Sequence, residues 1–351
     1  MGDAKVAEGA VAYIPLLDGV RAVSIGLVIV SHLVIYNPNS YLAYKAALAS
    51  GYTGVSVFFV LSGYLITTLL LREEERSGQI CLSSFYLRRM FRILPAAYCF
   101  LVVLIALAAM RMVKVPFHDF ASSFLYIRNF VGQSHETAHL WSLAIEEQFY
   151  LLWPLFLLYV APQHRIRAVA VIIGSICAWR SLLTLTGWAS VGALYSRTDL
   201  RLDSILMGCL LALLCQDQRI RHAMKNFISP ELAILAGILG LVTWKTLSAD
   251  MAHGAALDST LTAGVIALSL YGLLYSKHPA CVVLETKTMA IIGKLSYGIY
   301  LWQQLFFGPP NEALSAAREF PTNLVLTVAM ATISYHLVEK PFLRLRERFV
   351  T

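Results

Sequence analysis

Charge is what this chain has least of. Only 14% of its 351 residues are Asp, Glu, Lys or Arg, against 58% hydrophobic, and the mean hydropathy is +0.66. A soluble protein of this size needs more polar side chains to cover its surface, so the composition specifies a polytopic membrane protein. The six cysteines form no Cys-x-x-Cys pair and no His/Cys ligand spacing, which points to reduced thiols, with no structural disulfide and no metal site. Despite a net charge of +7, no basic cluster interleaved with aromatics stands outside the apolar segments. Nucleic acid is thereby excluded as a partner, and the positive charge is read as setting topology. No small-residue cleavage pattern follows the first apolar run, so no signal peptide is expected. Internal repeats are missing too, as is any loop long enough for a second domain. A single domain over residues 1–351 is expected.

What is present is a series of apolar stretches near 16–36, 51–71, 94–112, 140–160, 168–187, 202–215, 231–247, 258–275, 289–308 and 322–339. Each except 202–215 is long enough alone to cross a bilayer core of about 30 Å, and that one is expected to extend upstream. The fold class is therefore all-α, a transmembrane bundle of about ten helices with both termini on one side. Under this map about 19 of the 28 Lys and Arg fall on the side of the termini, which makes that side cytoplasmic. Segments 37–50, 112–139, 188–201, 248–257 and 309–321 then face outward. The amphipathic stretch 117–130 is expected to be interfacial or re-entrant.

Polar residues inside such stretches are costly, about 2.5–3.5 kcal/mol or more for a charge at the bilayer centre, so their positions carry information. Arg21 and His32 lie eleven residues apart. On a helix this puts them within roughly 20° of one face and about 16 Å apart along the axis. His32 suits proton transfer near neutrality; taken alone, its first reading is a buried histidine bonded between helices, and the shared face with Arg21 shifts the balance. Asp18, three residues before Arg21, is positioned to pair with it. In "HLWSLAIEEQFYLLWP" (139–154), His139, Glu146, Tyr150 and Trp153 share a stripe with Ser142 one turn before Glu146. Glu146 is the functional candidate and Glu147 its structural neighbour, the alternative being interhelical hydrogen bonding. "FYLRRMFRILP" (85–95) gathers Arg88, Arg89 and Arg92 on a limited arc. Arginine rather than lysine favours bidentate phosphate contacts, from a nucleotide or from lipid headgroups.

"RTDLRLDSILMG" (197–208) interleaves Arg197/Arg201 with Asp199/Asp203 at four-residue spacing, as salt bridges at a helix entrance or as an acceptor site. In "KLSYGIYLWQQ" (294–304), Ser296, Tyr300 and Gln303 share one face, a polar wall or ordinary packing.

The order of these motifs is distinctive: "LDGVRAVSIGLVIVSH", "GVSVFFVLSGYLIT", "FYLRRMFRILPA", "HLWSLAIEEQFYLLWP", "RLDSILMG", "LSYGIYLWQQ" and "YHLVEKPF". Over nearly its whole length the chain resembles the membrane-bound acyltransferase-3 family. The resemblance implies a bundle of about ten spans in a cytoplasmic (inner) membrane. It implies transfer of an acyl group, most often acetyl, from cytosolic acyl-CoA to a hydroxyl of a sugar or glycan. Acyl-CoA is then a co-substrate, with no permanently bound cofactor. Arg21 and His32 correspond to the family's Arg-x10-His pair, with His32 the catalytic histidine. Arg89 and Arg92 correspond to its Arg-x-x-Arg donor motif, which Arg88 adjoins. Glu146 corresponds to the acid of its Trp-Ser-Leu motif, where it is expected to orient His32 or stabilise its imidazolium, and Arg201 and Asp203 to its Arg-x-Asp. Gln303 departs from the histidine many members carry there, and the SGNH-type domain fused to some members has no counterpart in these residues. The main rival is a proton-coupled carrier using the same intramembrane polar residues. A flippase or assembly scaffold without chemistry is the third reading.

Overall fold

Each expected apolar stretch coincides with a helix, and the polar residues between them set where those helices begin and end. The computed structural model describes residues 14–36, 41–188, 190–227, 229–248, 254–276 and 278–349, and among them there is no strand. Parts of the expected outer segments, 37–40 and 249–253, lie outside the described residues. Helix α1 (Pro15–Tyr36) opens on proline, whose fixed φ and missing N–H suit the first helical turn. Helix α2 (Tyr41–Ser77) runs well past the expected limit at 71. "LREEER" consists of good helix formers, and the helix stops where Gly78 adopts a positive φ of 72°, its N–H donating to the Glu74 carbonyl at 2.9 Å. The extra turns carry Glu73, Glu74 and Glu75 beyond the apolar stretch, where each finds a partner. Glu73 pairs with Arg88 at 2.9 Å, Glu74 takes a two-pronged bond from Arg165 at 2.6 and 2.7 Å, and Glu75 accepts from Gln216 at 2.5 Å.

Helix α3 (Leu82–Ala109) starts earlier than expected and continues through Pro95, so the arginine run belongs to its first turns. The stretch 117–130 is a short helix, α4 (Phe117–Phe124), followed by turns; after it come α5 (His135–Ala138) and α6 (Leu140–Tyr159). Helices α7 (Pro162–Leu185), α8 (Val191–Ser196) and α9 (Thr198–Gln216) follow, the last extended upstream as expected. Then come α10 (Gln218–Phe227), α11 (Pro230–Ser248), α12 (Gly254–Tyr275), α13 (Pro279–Leu284) and α14 (Lys287–Phe306). A 3-10 turn (Glu312–Leu314), α15 (Ser315–Arg318), α16 (Thr322–Ser334), a π-helical turn (Tyr335–Glu339) and α17 (Lys340–Arg346) complete the chain.

The protein is an all-helical integral membrane protein. Five of the described helical segments are long and apolar enough to cross a bilayer: Pro15–Tyr36, Gly51–Ser77, Leu82–Ala109, Pro162–Leu185 and Leu257–Tyr275. Large apolar side chains such as Leu152, Val171, Leu185, Ile238 and Val325 face outward, as lipid requires. Inside, Phe59, Ile66, Phe100, Leu104, Ile145, Ile205 and Trp302 belong to one continuous core.

Helix α2 is central because glycine lets its neighbours come close. A side chain at Gly63 would overlap the Ile205 carbonyl of α9, and one at Gly208 the Val60 carbonyl of α2. Gly293 of α14 likewise abuts the Asp18 backbone of α1. These backbone approaches fix α1, α2, α9 and α14 against one another.

Candidate functional site

Two polar levels occupy the bundle interior, and α1 runs through both. The first lies at the end where α1 and α3 begin. Arg21 donates to Asp18 at 2.9 Å, as expected, and keeps 22% of its side chain accessible. The Arg89 guanidinium sits 5.2 Å from the centroid of the Tyr150 ring and 5.9 Å from that of Phe85. Across from it, Glu146 accepts a 2.6 Å hydrogen bond from Ser62 of α2, within electrostatic range of Arg89, Arg21 and Arg92. The π-helical turn brings Glu339 within range of Arg92. Arg89 and Arg92 make no hydrogen bond among the described residues. Arg21, Ser62, Arg89 and Glu146 are only half-buried although other helices surround them.

The structure thus brings Arg21, Arg89, Arg92 and Glu146 together. Arg88 does not join them, because Glu73 holds it on the α2–α3 edge at 2.9 Å. One residue of helix rotation, about 100°, separates it from Arg89.

The second level lies about 16 Å further along α1. His32 Nδ1 stands 2.8 Å from the Val28 carbonyl. A carbonyl oxygen only accepts, so Nδ1 carries the proton and Nε2 presents its lone pair. The expectation that Glu146 orients His32 is therefore corrected: the backbone one turn back holds the ring, while Glu146 bonds to Ser62.

Beside His32, Tyr36 lies 6.4 Å away ring to ring and bonds to His135 Nδ1 at 3.2 Å. His135 Nε2 in turn donates to the Phe307 carbonyl at 3.0 Å, and Gln304 Nε2 donates to the His135 carbonyl at 2.6 Å. Burial of the His135 ring pushes its pKa below the ordinary histidine value. Arg318 locks the adjoining loop through the Leu305 and Pro309 carbonyls, at 3.2 and 2.6 Å. His135 and Tyr36 were missed in the sequence, and Gln304 stood out only as part of the polar run 294–304. His135 opens the one-turn helix α5, too short to show periodicity, and its only signal was a second histidine four residues before His139.

The remaining expected site residues are engaged in hydrogen bonds within the bundle. Tyr300 bonds Ser142 Oγ at 2.6 Å and the His139 carbonyl at 3.0 Å, tying α14 to α6. Ser296 donates to the Gly293 carbonyl of its own helix. Gln303 is fully buried and donates to Gln304 at 3.3 Å.

Arg201 and Asp203 are completely buried in a network joining α2, α7, α9 and α12. Asp203 accepts from Arg180 at 3.0 Å, Thr260 at 2.5 Å, Ser259 at 2.9 Å and the Ser204 N–H at 2.9 Å. Arg201 donates to Tyr52, to Ser259 at 3.0 Å and to Ser56 at 3.3 Å. The four-residue pairing expected along α9 is replaced by a local Arg197–Asp199 pair and an interhelical Arg180–Asp203 pair. With both Asp203 oxygens engaged, the cluster ties α2, α7, α9 and α12 together, as the salt-bridge reading of this stretch expects.

All six cysteines are free, and among the described residues no three metal-ligating side chains gather. No solved structure resembles the chain. Relatives include the peptidoglycan O-acetyltransferase OatA of Listeria monocytogenes, 30% identical over 94% of this chain and 56% of its own length. The O-acetyltransferase OatA of Staphylococcus aureus is also 30% identical, over 94% and 57%. A putative O-acetyltransferase of Staphylococcus aureus strain COL is 29% identical, over 94% and 57%. The chain therefore spans about half the length of the curated relatives it matches. Residues 14–338 match the acyltransferase domain of the acyltransferase-3 family, and the chain belongs to that family.

Proposed function

We propose that the chain is a membrane O-acetyltransferase that takes the acetyl group of acetyl-CoA at the arginine level and passes it to a glycan hydroxyl at the histidine level. The observation that carries this reading is the pairing of two polar levels along α1, with Arg89 and Arg92 of α3 beside Arg21 at the first and His32 at the second. Guanidinium groups with unspent donors stand at one level, and an imidazole with a free Nε2 stands about 16 Å further along. Arg89 and Arg92 bind the CoA phosphates, with Arg21 adding charge. Glu146 faces them and offsets the mutual repulsion of the arginines. The pantetheine arm, flexible and uncharged, enters the bundle and carries the thioester toward His32. His32 Nε2 removes the proton of the acceptor hydroxyl as its oxygen attacks the thioester carbonyl. The C–S bond breaks, and the imidazolium returns that proton to the departing thiolate. The Val28 carbonyl keeps the ring oriented throughout.

The relatives' names support acetyl as the group and a cell-wall glycan such as peptidoglycan as the acceptor. Ten spans, both termini at the arginine end and a cytoplasmic membrane complete the proposal, since acetyl-CoA is supplied from the cytosol.

The experiment is acetyl-CoA binding to the detergent-purified chain by calorimetry, with Arg89→Ala/Arg92→Ala, Arg88→Ala and His32→Gln alongside. The double variant is expected to lose binding, while Arg88→Ala and His32→Gln retain it. His32→Gln is expected to lose about 10²–10⁴-fold in transfer rate. A folded wild-type sample that binds neither acetyl-CoA nor CoA refutes the reading and favours the proton-coupled carrier.

A further inference from the structure

A cavity of about 410 Å³ opens where α6 and α9 begin, beside the turns after α4. Its lining includes Arg128, Asn129, Trp141, Ser196 and Arg197, and it contains no carboxylate among the described residues. What distinguishes it is a surplus of hydrogen-bond donors. Arg128 spends Nε on Thr137 at 2.8 Å and Nη2 on the Ser134 carbonyl at 2.9 Å, leaving Nη1 without a partner among the described residues. Arg197 spends Nε and Nη2 on Asp199 at 3.0 and 2.9 Å, again sparing Nη1. The Trp141 indole N–H has no partner there either.

The wall is rigid. Asn129 donates to Thr198 at 2.8 Å, Thr198 to Gln148 at 2.5 Å and Gln148 back to Asn129 at 3.1 Å. The chain's own acids already balance both arginines, Asp199 by direct pairing and Asp119 by proximity to Arg128. The cavity therefore asks for an acceptor-rich ligand more than for a bare anion. A flat indole beside directional donors is the chemistry that holds a sugar ring.

A second observation lies next to the cavity in the chain. His139 follows Ala138 and precedes Trp141 by two residues, and those two line the cavity while His139 itself packs behind them. Only 5% of it is exposed, and neither ring nitrogen has a hydrogen-bond partner. Its ring is boxed edge-on by Phe100 at 5.2 Å and Tyr300 at 5.6 Å, and it lies within electrostatic range of both His32 and Arg128. A buried imidazole with two unmet nitrogens is expensive. In this position a bound hydroxyl is its natural partner.

We propose that this cavity is the docking site of the acceptor saccharide, with Trp141 under one ring and Arg128 and Arg197 on an acceptor-rich substituent, a carboxylate or an acylamino carbonyl. This rests on the acetyltransferase reading above.

The test uses the full chain in detergent, with acetyl-CoA and three soluble probes: chitotetraose, tetragalacturonate and maltotetraose. Binding of each is measured by calorimetry and acetyl transfer by CoA release. Chitotetraose or tetragalacturonate is expected to bind and accept at least tenfold better than maltotetraose. Arg197→Gln at the half-exposed rim and Trp141→Ala at the floor are expected to raise the oligosaccharide KM about tenfold or more, with acetyl-CoA affinity unchanged within twofold. Unchanged oligosaccharide KM in Arg197→Gln and in a folded Trp141→Ala overturns the proposal, as does equal use of maltotetraose. If the wild type binds acetyl-CoA but neither binds nor acetylates any probe, the proposal falls and the donor half of the reading stands. If the wild type does not bind acetyl-CoA at all, both fall together.

Discussion

Replacing Asp203 by asparagine tests whether the α2–α7–α9–α12 network is a tie or a substrate site. The proton count in the network is tight. Ser259 accepts from Arg201 and donates to Asp203; Thr260 accepts from Arg180 and donates to the same carboxylate. Each hydroxyl thus relays one guanidinium onto one carboxylate oxygen. An asparagine amide would keep the shape, but it would remove the negative charge facing Arg180 and turn one acceptor into a donor aimed at donors. Breaking a buried pair by removing one partner costs about 3–5 kcal/mol, because the other charge stays buried without compensation. Taking about 2.1 cal/mol/K per residue, 351 residues give an unfolding entropy of about 0.7 kcal/mol/K. The expected fall in Tm is then about 4–7 °C in detergent. The assay is a thermal melt of Asp203→Asn, Arg180→Met and the double variant. The double variant should lose about 0.5–3 kcal/mol less than the sum of the singles. A folded Asp203→Asn protein whose Tm lies within about 1 °C of wild type while acceptor transfer is lost would refute the reasoning and return Asp203 to the substrate site.

Two further outcomes follow from packing and from protonation. At the α2–α9 crossing, Gly208→Ala gains up to about 1 kcal/mol in helix propensity but places a methyl against the Val60 carbonyl, which cannot rotate aside. Overpacking costs about 1–3 kcal/mol, so melts should show net destabilisation, deeper for Gly208→Val; a higher Tm for the alanine variant would contradict the close approach. The His135 ring is held neutral by burial, below its ordinary pKa, whereas the unfolded chain protonates it near about pH 6.5. Below that pH the unfolded state binds more protons than the folded one, so this residue's contribution to stability falls as pH drops from about 6.5 toward the folded value. Thermal melts between pH 7.5 and 5 should lose slope in His135→Gln, and identical slopes would show that the ring is not held neutral.

How much was legible depended on whether a feature was periodic. Helix positions followed from long apolar runs, and the Arg21–His32 alignment followed from eleven residues of uninterrupted helix. Arg89 was separable from Arg88 only by knowing that Glu73 rides on an extension of α2, a fact set by "LREEER" continuing as helix rather than by the arginine run itself. The partner of His32 was misread because a backbone carbonyl leaves no mark in a sequence. His135 and Gln304 come from a one-turn helix and a helix end whose meeting is purely tertiary. The Arg180–Asp203 pair joins residues 23 apart, and Arg180 had no neighbour in the sequence to announce it.

Cys81 offers a direct reading of orientation. It stands at the start of α3, at the arginine end, exposed, with its N–H donating to Glu73 at 3.0 Å. The thiol donates to the Ser84 hydroxyl and contacts that of Ser83, each at 3.3 Å; once the proton leaves, both hydroxyls can turn to donate to the sulfur, which favours the thiolate and brings the thiol pKa down to about 7. About half of it is thiolate at neutral pH, so it should alkylate first among the six cysteines, its rate falling as pH drops from 8 to 6. Cys209, Cys215 and Cys281 are buried and should react only on unfolding. In intact spheroplasts an impermeant maleimide should therefore leave the protein unlabelled, and permeabilisation should add one label that Cys81→Ser abolishes. Labelling of Cys81 before permeabilisation would put the arginine level outside the cell. There no CoA is supplied to it, and the donor half of the mechanism would have to be abandoned however well the histidine level fits.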